Sequence, residues 1–127
     1  MKTNILFMLL MLISLNTIGQ SSQVHSFYSG FALLRDCGNY AKAREGQASD
    51  AEIDAATICA GYVMGVADAH DEFLTKSRSP IWCPPVDVTV GQIINPIHRY
   101  IIANPEQVHL SASNIIHLAL QETYPCN

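Results

Sequence analysis

The chain has 127 residues, 49% of them hydrophobic, and seven basic residues against eleven acidic ones give a formal charge of -4. The basic residues beyond Lys2 are scattered (Arg35, Lys42, Arg44, Lys76, Arg78, Arg99), which argues against nucleic acid, whose backbone recruits clustered Lys and Arg. The length suits one domain, with a core small enough for cross-links to matter.

The opening MKTNILFMLLMLISLNTIGQ pairs Lys2 with an apolar run from Ile5 to Leu15 and ends in a polar region with small Gly19. That is the pattern of a secretory signal peptide, expected over residues 1–19 with the mature domain over 20–127. The run is too short for a membrane anchor, and no second segment is apolar for long enough to span a bilayer.

After this, Ser26 is positioned to cap a helix from Phe27 to about Asp36, with Phe27, Phe31 and Leu34 as its apolar stripe and Gly38 as its stop. Gly38 to Gln47 has mixed charge, two glycines and no sustained apolar period, so it reads as a surface loop, either a binding surface or a solvated connector.

Ser49 to Phe73 predicts the central helix. Ser49 and Glu52 have capping-box spacing, and Ile53, Ala56, Ala60, Val63, Met64 and Ala67 recur at helical intervals as a buried stripe. Gly61 and Gly65, one turn apart, cost about 1 kcal/mol each relative to Ala, and predict a close helix-packing contact on a neighbouring face. The helix should fade near Thr75.

Ser79-Pro80 and Cys83-Pro84-Pro85 then impose an extended or turned path. Trp82, the single tryptophan, reads either as a packed core or lid residue or as an interface aromatic. Val86 to Val90 alternates like a strand, but one strand makes no sheet, and Thr89 with Gln92 forms a second capping box. From there Val90, Ile93, Ile94, Ile97 and Ile101 mark a helix that Pro96 should kink, at about 3 kcal/mol unless its surroundings are adapted. Asn104 and Pro105 end it. A last helix opening at Leu110 or Ser111 carries Ala112, Ile115, Ile116, Ala119 and Leu120 on one face.

These patterns predict an all-α fold, a bundle of four main helices. The cysteines Cys37, Cys59, Cys83 and Cys126 predict two disulfides in an oxidising compartment. Four cysteines allow three pairings, and sequence does not choose among them. Cys37 with Cys59 and Cys83 with Cys126 is favoured, because each pair ties a helix end to a neighbouring element. Closing either loop contributes roughly 3 to 4 kcal/mol on the chain-entropy account.

Catalytic readings fail on chemistry. His70-Asp71 in a helix resembles the pair of secreted phospholipase A2, but no glycine-rich calcium loop precedes it, and adjacent helical residues diverge. A cysteine hydrolase needs a free thiol near a histidine, whereas all four thiols are expected to be oxidised. No H-x-x-x-H or H-E-x-x-H spacing marks a metal site, and no glycine loop cradles a phosphate. The expectation is therefore a binding protein, not an enzyme, with no cofactor and no metal.

Five blocks span nearly the whole mature chain: FYSGFALLRDC (27–37), CAGYVMGVADA (59–69), CPPVDVTVGQI (83–93), HRYIIANPEQVH (98–109) and ALQETYPC (119–126). Together they resemble the Rap/Tai family of type VI secretion amidase immunity proteins. Cys37, Cys59, Gly61, Tyr62, Gly65, Asp68, Cys83, Pro84, Pro105 and Cys126 match the family's motif, while Pro96 falls where related helices run without interruption. The resemblance implies a periplasmic all-helical protein that forms dimers. It also implies binding to a papain-like peptidoglycan amidase effector, whose active-site cleft it blocks. Toxin-contacting residues vary with the toxin and are not carried by the motif. Predicted exposure and position at loop ends nominate Glu45, Ser49, Asp50 and Trp82 for partner binding. The same residues also read as solvated charges, a helix cap and a core aromatic. The rival function is a periplasmic helical binding or chaperone-like module without a toxin partner.

Overall fold

The computed structural model describes residues 27–77 and 79–127. Ser26 and the expected signal peptide lie outside the described residues. Helices α1 (Gly30–Cys37), α2 (Tyr40–Arg44), α3 (Asp50–Ser77), α4 (Val90–Ala103) and α5 (Ala112–Thr123), with a 3-10 turn at Pro105–Gln107, form an all-α bundle. No strand occurs among the described residues, and an isolated bridge joins Ser29 to Ser111.

Helix α1 starts later than its apolar spacing suggests. Ser29, not Ser26, is the cap, its Oγ accepting from Ala32 N-H at 3.2 Å. Tertiary contact sets this start: Gly30 N-H donates to the Leu110 carbonyl at 2.9 Å and Ala112 N-H to the Tyr28 carbonyl at 2.9 Å. Gly30 lies so close to the neighbouring segment that a Cβ there would meet Ile115 Cδ1 at 2.2 Å and the Val108 carbonyl oxygen at 2.8 Å. Leu33 and Cys37 therefore face the core, whereas Phe27 and Phe31 are exposed.

The expected loop after Gly38 contains the one-turn helix α2. Gly46, at φ +70°, ends it in the left-handed region that glycine occupies without steric cost. Lys42 of α2 pairs with Glu52 in the first turn of α3.

The buried stripe of α3 is Ala56, Cys59, Val63 and His70, rotated from the stripe read in the sequence. Ile53 and Met64 are exposed because they flank the short α2, which does not cover them. The start of α4 is the capping box expected from Thr89 and Gln92, and that of α5 is Ser111, accepting from Asn114 N-H. Ile93, Ile94, Ile97 and Ile101 of α4 meet Ala112, Ile115, Ile116, Ala119 and Leu120 of α5 in the core. Pro96 sits inside α4, buried. It cannot donate to the Gln92 carbonyl, and the Tyr124 hydroxyl donates to that oxygen instead, at 3.1 Å.

The disulfides are Cys37–Cys59 and Cys83–Cys126, closing sequence separations of 22 and 43. Chain entropy assigns them about 3 and about 4 kcal/mol. Replacing Cys83 and Cys126 together by Ala should lower the urea-unfolding free energy by about 4 kcal/mol, and the Cys37/Cys59 pair by about 3. Losses below 1 kcal/mol for both pairs would remove cross-linking as the source of rigidity.

Candidate interaction surface on the central helix

Several grooves line α3, two of them larger than 500 Å³. The first, of about 740 Å³, lies between α2, α3 and the start of α4, with Tyr40, Arg44, Glu45, Met64 and Gly91 in its walls. Glu45, Ser49 and Asp50, the sequence candidates for partner binding, are exposed at this end of the molecule, on the α2–α3 linker and the first residue of α3. Glu52 reaches back to Ser49, accepting from its backbone N-H at 2.8 Å and its hydroxyl at 2.9 Å. The Lys42 hydrogen bond and then the Ser49 backbone and hydroxyl lower the Glu52 pKa to about 2. The linker is thus held from both sides by charge-assisted bonds.

Trp82 does not belong to an exposed surface. It is 1% exposed, which corrects its nomination as a partner contact. Its ring stacks on His70, with centroids 4.0 Å apart and planes at 13°, and its Nε1-H donates to His117 Nδ1 at 3.2 Å. Beside a cysteine fixed to Cys126, the indole is held between α3 and α5.

The second groove, of about 570 Å³, opens beside this cluster and includes Gly61, Gly65, Ala69, His70, Phe73 and Ile81 in its lining. Gly61 and Gly65 also depart from expectation. Both are exposed, and a Cβ built on either meets no atom within 4 Å, so no helix of the bundle packs on them. The glycine pair faces outward.

His70 is the unusual group here. It is 3% exposed, and its Nε2 accepts from Ile81 N-H at 3.3 Å, which places the ring proton on Nδ1. That Nδ1 is buried without a hydrogen-bond partner. Asp71 Oδ1 stands 3.7 Å from it, beyond hydrogen-bond range. A buried unsatisfied donor costs about 1–3 kcal/mol. Sequence reasoning weighed His70 as a catalyst and missed its packing role. The available signal was its position eleven residues after Cys59 and seven after Val63, on the same helical face.

Among the described residues no three His, Cys, Asp or Glu side chains gather to hold a metal. At the other end of the core, Asp36 is buried and accepts from Arg35 Nε at 2.6 Å and from the Tyr28 hydroxyl at 2.6 Å. Burial pushes its pKa up, but the hydrogen bonds from Arg35 and Tyr28 outweigh this and hold it below the ordinary value. Burial, then the bond to Asp36, raises the Tyr28 phenol.

The glycine geometry has a direct test. Gly61→Ala and Gly65→Ala should each stabilise the fold by about 1 kcal/mol in urea unfolding, since a helix-interior alanine is favoured by that amount and the methyl meets open space. Destabilisation of either variant would show that the position is covered in the folded monomer.

A second test concerns pH. Burial depresses His98, and burial followed by the neighbouring His70 depresses His117, both below 6.5. The unfolded chain thus binds protons that the folded one refuses, so this stability is full above pH 6.5 and declines as pH falls toward the folded pKa values. A second loss begins below pH 4.5, as Glu52 and Asp36 approach their lowered pKa values. Melting temperature should fall between pH 7.5 and 5.5, and His117→Asn, which keeps an acceptor for Trp82, should flatten that slope. An unchanged slope would exclude His117 as its source.

No helix among the described residues is long and apolar enough to cross a membrane. No curated protein sequence matches the chain. The sequence model of the family described as Rap1a immunity proteins matches residues 29–126, from the cap of α1 to the last cysteine. With both disulfides, all the described helices and the two grooves inside that span, the chain belongs to the Rap1a immunity protein family.

Proposed function

We propose that the chain is a periplasmic immunity protein which, after residues 1–19 are removed as a signal peptide, binds a type VI secreted papain-like peptidoglycan amidase and occupies its active-site cleft. The family match over residues 29–126 carries this reading. Inhibition of this kind needs no chemistry from the inhibitor. A thiol nucleophile must reach the scissile bond, so a rigid body seated in the cleft stops turnover by excluding substrate.

The physical features of the chain suit that role. Two disulfides in one small domain are compatible with an oxidising compartment. The exposed segment from Glu45 to Asp50 is braced by the Lys42–Glu52 pair and by Glu52 on Ser49, so little ordering entropy remains to be lost on docking. Glu45, Ser49 and Asp50 are the proposed contacts at this end. Dimer formation, implied by the family resemblance, is part of the same proposal.

The test is a titration of peptidoglycan hydrolysis by a type VI secreted papain-like amidase from the source organism or a near relative, with the oxidised mature protein as inhibitor. Activity should reach zero at one-to-one stoichiometry. Combined Glu45→Ala, Ser49→Ala and Asp50→Ala should weaken binding at least tenfold, equivalent to about 1.4 kcal/mol. Full hydrolysis at excess inhibitor would reject amidase immunity in favour of a helical binding module without a toxin partner, and inhibition insensitive to the triple change would move the contact away from this segment.

A further inference from the structure

The exposed side of α3 holds features that the fold itself does not use. Asp54, Ile58, Gly61, Gly65, Asp68 and Glu72 follow one another at three- or four-residue intervals, and all are exposed. They form one ridge, small and apolar at its centre and acidic toward both ends. Two interior glycines weaken the helix by about 1 kcal/mol each, yet neither admits a neighbouring element of this chain. Glycine at such a place lets a foreign backbone approach.

The groove beside the ridge supplies an independent observation. Its walls contain no Asp, Glu, Lys or Arg, and they expose Phe73 and Ile81, 52% and 39% accessible. His70 lines the same groove with a buried Nδ1 that has no hydrogen-bond partner, while its other nitrogen is engaged by Ile81 N-H. The groove thus presents uncharged walls with two large apolar side chains exposed.

We propose that this ridge and groove are the docking surface for an apolar segment of a protein partner, flanked by basic residues, which packs against Phe73 and Ile81. The proposal rests on the amidase reading above and assigns this segment to the amidase. An apolar side chain of the segment fills the groove, its backbone lies over Gly61 and Gly65, and its Lys or Arg residues face Asp54 and Asp68. Charge selects this occupant over a second copy of the chain. An antiparallel copy laid across the same ridge would set Asp54 of one protomer toward Asp68 and Glu72 of the other, like against like, with Glu72 alone offset by Lys76 at 2.7 Å. A basic-flanked segment meets the opposite sign at both ends.

The experiment measures binding of the same amidase to wild type, Gly65→Leu and the double variant Asp54→Lys with Asp68→Lys, each first checked for an undiminished melting temperature. Gly65→Leu should weaken binding at least 100-fold, because its side chain projects into the space reserved for the partner backbone. The charge-reversed variant should lower the association rate at least tenfold at low salt, with the deficit shrinking as salt rises. Wild-type-like binding by both variants, beside an effect of the Glu45, Ser49 and Asp50 changes, overturns this surface and leaves amidase immunity standing. Failure of the wild type to bind the amidase overturns both. A dimer that Gly65→Leu converts to monomer, with amidase inhibition intact, assigns the ridge to a second copy and likewise overturns the proposal.

Discussion

The fold depends on the burial of Trp82. The segment between α3 and α4 carries Pro80, Pro84 and Pro85, which donate no backbone hydrogen bonds and disfavour helix, so side chains must hold it. Burying an indole removes 150–250 Å² from water, about 4–6 kcal/mol as an upper bound. The stack on His70 and the hydrogen bond to His117 direct that gain. Cys83 follows at once, bonded to Cys126 and donating its N-H to the Tyr124 carbonyl at 2.8 Å. The connector and the chain's last residues are thereby fixed to α3 and α5. Ile81, adjacent to the indole, is brought to the groove wall by the same anchor, so the candidate surface is a consequence of the packing beneath it.

Polar groups in this core are arranged by the same logic. Asp36 stays ionised in a buried site because Arg35 and Tyr28 both donate to it, and charge-assisted bonds of this kind outweigh the desolvation that opposes them. His117 accepts from Trp82 only while its Nδ1 is unprotonated, so packing and protonation state are linked. His70 departs from the pattern. Its Nε2 is satisfied and its Nδ1 is not, and a native core that satisfies Asp36 so fully makes that exception informative.

Local signals were legible in the sequence where they were self-contained. Thr89 with Gln92 and Ser111 each cap the helix that follows them, and the isoleucine-rich stripes of α4 and α5 are the core as read. The helical periodicities gave the fold class, and helix-end geometry favoured the observed disulfide pairing. What escaped the sequence depends on distant neighbours. The start of α1 is set by Gly30 against Val108 and Ile115, nearly eighty residues away or more. Pro96 is accommodated because Tyr124, from beyond the end of α5, bonds the carbonyl it leaves unpaired. On α3 the hydrophobic period pointed to Ile53 and Met64, because a histidine and a cysteine in the true buried stripe carry little apolar signal. Trp82 carried two opposite readings that only its contacts could separate.

The glycine pair shows why a stability argument and an interface argument diverge on one helix. Inside a monomer, Gly61 and Gly65 weaken α3 by about 2 kcal/mol together, a loss smaller than the contribution of either disulfide. Cys59 lies two residues before Gly61 and ties this part of α3 to α1. The cross-link restrains the helix next to the place where its backbone is least constrained by side chains. A rigid ridge that is also open to close approach favours binding on two counts. Little entropy is lost on docking, and backbone contact becomes available where any larger residue would hold a partner away. The bundle thus supplies the rigidity that two outward-facing glycines alone would remove.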